Sequence, residues 1–121
     1  MFLYYGGSPP QKKNGFVVFN LAGNLNWEGA RKLSEVFNEE LGRGEKHFLL
    51  NLEALKTIAS YSLSTILKLS YLAKKQDGSI AIVCPEGNVW DVFYVLEIGK
   101  VVPLFPSEEK FWEQGKNAIA K

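Results

Sequence analysis

The segment Leu50–Ser64 runs from an apolar stretch into a cluster of hydroxyls: Leu50-Asn51-Leu52-Glu53-Ala54-Leu55-Lys56-Thr57-Ile58-Ala59-Ser60-Tyr61-Ser62-Leu63-Ser64. Leu50-Asn51-Leu52 reads as the end of a buried strand and Ser60 as the start of a helix. A short loop would then deliver the hydroxyls onto a helix N-terminus, where unpaired backbone N–H groups and the positive dipole end favour an anion. The chemistry this permits is phosphorylation of a serine. A phosphate on Ser60 adds about −1.5 to −2 charges where the field accepts them, so the surface changes while the helix stays formed. The same residue has a simpler use as the helix N-cap, worth about 1 kcal/mol. The residues alone leave both readings open.

Other reactive side chains are few. The single histidine, His47, stands at the entrance to a strand and reads as a surface residue; no His, Cys, Asp or Glu cluster has metal-ligand spacing. The single cysteine, Cys84, lies in an apolar stretch and reads as a small core residue. Gly42-Arg43-Gly44 lacks the Lys-Ser/Thr of a Walker loop and the third glycine of a dinucleotide turn, and it follows a helix where a phosphate loop follows a strand. No Gly-x-Ser-x-Gly elbow occurs. No catalytic residue, metal or cofactor is therefore expected, and the chain is not read as an enzyme.

The elements that must position the hydroxyls follow from periodicity. Leu3–Tyr5 reads as a short edge strand, Gly6–Asn14 as a loop, and Phe16–Leu21, rich in β-branched and aromatic residues, as a second strand. Asn26 suits the N-cap of a first helix carrying Ala30, Leu33, Phe37 and Leu41 at helical spacing, stopped by Gly42 and Gly44. Phe48–Leu52 is a strand buried on both faces. A second helix spans about Ser60 to Lys75, with Leu63, Ile66, Leu67, Leu69 and Leu72 on its apolar face and Lys74 and Lys75 suiting its C-terminal dipole. Asp77-Gly78 turns into the strand Ile80–Cys84. A third helix carries Val89, Val92, Phe93 and Leu96, and Val101–Phe105 is a last strand whose Pro103 argues for a sheet edge. Ser107 caps a closing helix with Phe111, Ala118 and Ile119 inward. Alternating strands and helices imply right-handed crossovers and an α/β fold with a largely parallel sheet.

Composition limits the partners. The chain of 121 residues is one domain's worth, 1–121, with no repeat or linker. Fourteen Lys and Arg balance thirteen Asp and Glu, for a formal charge of +1, so no footprint of a nucleic-acid binder is present. No run approaches the roughly 20 apolar residues of a membrane span, the N-terminus lacks a signal-peptide pattern, and one cysteine allows no internal disulfide. A cytoplasmic protein without membrane insertion is expected. Oligomeric state is not read from the sequence.

Four segments together resemble the STAS domain family, and within it the bacterial anti-sigma-factor antagonists. Phe19-Asn20-Leu21-Ala22-Gly23-Asn24-Leu25-Asn26 resembles the family's strand ending in Gly-Glu-Leu-Asp. Leu50–Leu55 resembles its central strand and turn. Ile58–Ser64 falls where the family has an apolar residue and then Asp-Ser-Ser/Thr-Gly-Leu-Gly. Leu104-Phe105-Pro106 with Ser107-Glu108-Glu109 resembles its closing strand and acidic helix start. The resemblance, from about Phe16 to Ile119, implies a small mixed, mostly parallel sheet with an antiparallel N-terminal edge strand and about four helices. It implies a partner that is both anti-sigma factor and serine kinase, and phosphorylation of Ser60 as the release signal. The chain departs from the pattern at Ala59, Tyr61, Ser62 and Ser64, and Asn24 and Asn26 replace the Glu and Asp of the upstream loop. Ser62 is then an alternative acceptor.

In parallel α/β units the loops after the strands gather at one end. The expected partner face therefore comprises Asn24, Asn26, Ser60, Tyr61, Ser62 and Ser64, together with Glu86, Asn88 and Trp90. Trp27 and Trp112 read as covers for their helix ends. Two alternatives remain: a STAS-like scaffold subunit of a transport or sensor complex that never switches, and a small-ligand module using the same end of the sheet.

Overall fold

The computed structural model describes residues 9–115. In chain order they form β1 (Gln11–Lys13), β2 (Phe16–Leu25), α1 (Trp27–Gly42), β3 (His47–Ile58), α2 (Ser60–Lys75), β4 (Ser79–Val83), α3 (Asn88–Val95), a 3-10 turn (Ile98–Lys100), β5 (Leu104–Phe105) and α4 (Glu108–Lys110), which runs into a π turn at Phe111–Gly115. The strands lie side by side in sequence order, β1 antiparallel to β2 and every later pair parallel.

That order decides where the helices go. Each right-handed crossover to the next neighbouring strand lands on the same side of a sheet. Helices α1, α2 and α3 accordingly cover one face. Phe19, Leu50 and Ile82 from the strands meet Leu33, Phe37, Leu69 and Phe93 there, and the rings of Phe37 and Phe48 approach to 4.4 Å. The opposite face carries the alternate residues Phe16, Val18, Leu49, Ala81 and Val83, and Phe111 seals them with Phe105 and Trp112 at its sides.

Glu108 fastens that second layer. Its carboxylate accepts bonds from Asn51 on β3 (2.7 Å), from the Trp112 indole (2.8 Å) and from Lys13 on β1 (3.2 Å). Burial works to raise its pKa. The hydrogen bonds from Trp112, Lys13 and Asn51, with the Lys13 charge, outweigh burial and hold it below its ordinary value of 4.5.

Several expectations need correction. Residues expected as loop form β1: Asn14 and Gly15, at φ 51° and 86°, make the two-residue turn that pairs Lys13 with Phe16, the conformation an Asn-Gly step favours in a hairpin. The expected strand at Leu3–Tyr5 lies outside the described residues, as do Ala118 and Ile119. β3 does not end at Leu52 but continues to Ile58. The last strand shrinks to Leu104–Phe105, with Val101 exposed. Leu96, expected inward, is exposed because α3 ends at Val95 and Glu97 turns the chain through a left-handed φ of 55°.

Two outcomes test this account. A Cβ at Gly78 would stand 2.0 Å from the Lys46 carbonyl oxygen, whereas one at Gly42 meets nothing within 4 Å. Gly78→Ala should lose about 1–3 kcal/mol in urea unfolding, and Gly42→Ala should be neutral or stabilising. Because the Glu108 pKa is lowered on folding, its stabilisation is complete above the unfolded carboxyl pKa and is lost as pH falls through the folded one. The gap in urea midpoint between wild type and Glu108→Gln should hold constant near neutral pH and shrink on acidification.

Candidate functional site

β3 is longer than the strand beside it. Its last partner on β4 is Val83, opposite Asn51, so Leu52–Ile58 pairs with β2 alone. The pairing with β2 is irregular at two places, between Asn20 and Ala22 and between Gly23 and Asn24, where β3 carries the extra residue each time. Such bulges bend and twist a strand. At the first, the Asn51 side chain accepts from Glu53 N (2.9 Å) and so satisfies a donor near the disrupted ladder. The tail of β3 ends level with β2: Asn24 lies opposite Thr57, which donates to the Asn24 side chain (2.7 Å), and Leu25 lies opposite Ile58.

Only Ala59 separates this strand from α2, so the hydroxyls follow a strand directly and no loop intervenes. Ala59 is the N-cap and offers no side-chain cap bond. The expectation that Ser60 caps the helix is therefore corrected. Ser60 is the first helical residue; it is exposed, and its hydroxyl makes no hydrogen bond within the described residues. The first turn of α2 carries no acidic residue. Its orphan N–H groups and dipole thus face solvent without a negative charge of their own.

Ser62 differs. It is buried, and its hydroxyl donates to the Leu25 carbonyl (2.8 Å) and toward the Asn26 carbonyl (3.3 Å). It belongs neither to the exposed face nor to the accessible acceptors, against expectation. A signal for this existed in the sequence. Counting back from Ile66, Leu69, Ser70 and Ala73, all buried, the helical period places residue 62 on the inward stripe.

The remaining expected residues divide. Asn26 is exposed and caps α1 through Gly29 N (3.0 Å). Tyr61 and Ser64 are exposed and line a groove of about 340 Å³ between α1 and α2, with Arg31 and Lys68. Glu86 and Asn88 are exposed beside the free edge of β3, where they share a cavity of about 430 Å³ with Leu52, Leu55, Thr57 and Cys84. Trp90 is half-buried and packs against the main core, so it is no open anchor. The exposed tryptophan is Trp27, which was expected to cover a helix end. It sits in the first turn of α1, its ring 6.5 Å from that of Tyr61 and 5.7 Å from the Arg31 guanidinium carbon. The Asn26 cap was the available clue, since it sets Trp27 at an exposed first position.

The other candidate groups lie elsewhere. His47 opens β3 at the far end of the sheet, its Nδ1 2.8 Å from the Ser79 hydroxyl. Burial pushes the Cys84 thiol up to about 11, which keeps it protonated near neutral pH. Among the described residues no group of three or more His, Cys, Asp or Glu could hold a metal ion.

The profile of the STAS domain matches residues 9–111. A candidate anti-sigma factor antagonist from Thermotoga maritima superposes with a TM-score of 0.80 at 23% identity, over 88% of this chain and 92% of that one. An anti-sigma factor antagonist from Mycobacterium paratuberculosis gives 0.78 at 15%, over 93% and 92%. The Bacillus cell fate determinant SpoIIAA in its phosphorylated form gives 0.68 at 17%, over 86% and 96%. No curated protein matches the chain.

The contrast between the two serines is measurable. Ser62→Ala removes the hydroxyl bond to the Leu25 carbonyl, which keeps its bond from Ala59 N, and should cost about 0.5–1.5 kcal/mol in chemical denaturation. Ser60→Ala should stay within about 0.5 kcal/mol of wild type.

Proposed function

We propose that this chain, which belongs to the STAS domain family, is an anti-sigma-factor antagonist that binds a kinase-type anti-sigma factor and is released when that kinase phosphorylates Ser60. The observation that carries the reading is the Ser60 hydroxyl: exposed, unbonded, and set at the first position of a 16-residue helix with no acidic residue in its opening turn. Serine at the N-cap itself spends its hydroxyl on the helix's own N–H groups; here Ala59 holds the cap position and the Ser60 hydroxyl is not so engaged.

The mechanism follows from that placement. The partner meets Asn24, Asn26, Ser60 and Tyr61, with Trp27 beside them, at the end of the sheet where β2 and β3 finish. Aromatic side chains of this kind are common anchors of protein interfaces. Transfer of a phosphoryl group to Ser60 introduces about two negative charges into the centre of that surface. The helix dipole stabilises the phosphate locally, while Ser62 and its bond to Leu25 keep the fold in place. The partner then faces a charged, strongly hydrated group where it had packed against a neutral one. Like-charge contacts or a buried unpaired charge at an interface cost several kcal/mol, enough to release it.

Ala59 in place of the family's Asp, and the asparagines at 24 and 26, leave the acceptor in a less acidic setting than the family pattern. The kinase that uses Ser60 should therefore rely less on basic recognition residues. The two structural relatives that are anti-sigma factor antagonists by description, and the phosphorylated form of SpoIIAA, support the reading through the fold they share with this chain. The proposed setting is the cytoplasm, with no catalysis by the chain itself.

Incubation with the partner kinase and ATP should place one phosphate on Ser60, located by mass spectrometry. Binding by calorimetry should weaken at least tenfold for Ser60→Asp, and Ser60→Ala should stay bound when ATP is added. Binding that ATP leaves unchanged, with no phosphate gained, would count against the switch and fit a non-switching scaffold.

A further inference from the structure

Helix α2 has no aspartate or glutamate among its 16 residues and carries Lys68, Lys74 and Lys75. Leu63, Ile66, Leu69 and Ala73 turn inward and are buried. That leaves Tyr61, Ser64, Lys68, Tyr71 and Lys75 exposed at alternating steps of three and four residues. At about 100° per residue these side chains fall within about 80° of the helix circumference and run about 21 Å along it. Alternating steps of three and four are the spacing of a seam along which a second helix packs.

The lysines on the stripe are open to a new partner. Lys68 and Lys75 have no carboxylate at ion-pair distance among the described residues. Lys74 lies off the stripe's axis and donates to the Val101 carbonyl (3.1 Å). Helix α1 forms the wall beside the stripe. Its Arg31 and Glu35 line a groove of about 340 Å³ together with Tyr61, Ser64 and Lys68. Glu35 is already held by Arg31 (2.5 Å) and Lys32 (3.9 Å), so the groove's uncompensated charge is that of Lys68. Asp77 follows two residues after Lys75, past the end of the helix. At the other end the stripe meets Trp27, whose ring lies 6.5 Å from that of Tyr61.

We propose that an acidic amphipathic helix of the partner docks along this stripe, its apolar side chains against the rings of Tyr61 and Tyr71 and its carboxylates on Lys68 and Lys75. The inference rests on the reading that a partner meets the Ser60 end, and it extends that surface down α2. Charge and spacing choose the occupant. Lys68 and Lys75 stand seven residues apart, about two helical turns, and match carboxylates at the same interval on a helix laid beside them. A second copy paired two-fold about the middle of the stripe would set Lys68 against its own duplicate. Two lysines on a chain of formal charge +1 make a poor footprint for a phosphate backbone, and the stripe offers no aliphatic side chain to a bilayer. Tyrosine suits a protein contact, with an apolar ring and a hydroxyl that reaches water. A phosphate on Ser60 stands one turn above Ser64, at the head of the stripe, where its charge repels the acidic helix and favours release.

The isotope-labelled full chain is titrated, with NMR readout, against a synthetic helical peptide of about three heptads, Leu at a and d and Glu at the flanking positions. Amide shifts should map to α2 and the facing side of α1, and should fade as salt is raised to about 0.5 M. Lys68→Glu and Lys75→Glu should each weaken binding about fivefold or more, while Lys110→Glu, on α4 across the sheet, leaves it unchanged. These positions are exposed, and unchanged thermal melts show each variant folded. Three results would overturn the proposal: no shifts on α2, equal losses in all three variants, or displacement of the peptide by a lower concentration of an oligonucleotide of about ten residues. Peptide binding without phosphate transfer to Ser60 would uphold this surface and sink the switch. Phosphate transfer with both α2 reversals binding the peptide like wild type would do the opposite.

Discussion

The carbonyl oxygen of Leu25 accepts two hydrogen bonds, from Ala59 N (3.2 Å) and from the Ser62 hydroxyl (2.8 Å). This one acceptor joins the last residue of β2 to the first turn of α2, across a gap of more than thirty residues in sequence. It requires β3 to run on past β4 until it is level with the end of β2. It also requires α2 to start at once, because a longer connection would carry residue 62 away from Leu25. Ser60, one residue from the cap and two from the buried serine, is thereby held outward. Its exposure is the complement of the burial of Ser62: residues two apart in a helix project about 200° apart, so a helix that turns one inward turns the other to solvent.

The sheet order supports this from below. Neighbouring parallel strands laid down in sequence put α1 and α2 on one face with adjacent N-termini, which is why Trp27 and Tyr61, each in a first turn, come within ring contact. The same order leaves the second face to the chain's last elements. Phe111 and Trp112 close over Phe16 there, and Glu108 binds three elements with one carboxylate. A rigid sheet covered on both faces can present different chemistry at its two ends without either disturbing the other. The first turn of α2 carries no acidic residue and suits a hydroxyl whose charge state changes.

Much of this was legible in the residues. Asn26 and Ser107 cap helices as their types predict, and Ala30, Leu33 and Phe37 are buried as their spacing requires. The alternation of strands and helices gave the parallel sheet. The hairpin at Asn14-Gly15 was also written in the sequence, though composition over Gly6–Asn14 suggested only a loop. The tail of β3 was not legible. Leu55 is buried and Ile58 half-buried, but one bulge precedes Leu55 and the other lies between it and Ile58, so no period of two survives to mark a strand.

The sequence by itself determined the element order, the fold class and the helix that starts at Ser60, because caps, periodicity and crossover handedness act locally or through short-range rules. Helical periodicity already set residue 62 inward; only the tertiary structure decided what its hydroxyl binds and that Ser60 has no cap to make. The Leu25 carbonyl meets the Ser62 hydroxyl because strand register and two bulges bring the end of β2, more than thirty residues away, level with the start of α2. The same holds for Trp27 and Trp90, alike in type and opposite in exposure: one opens a helix at the rim of the sheet, and the other is turned onto the core by the packing of α3.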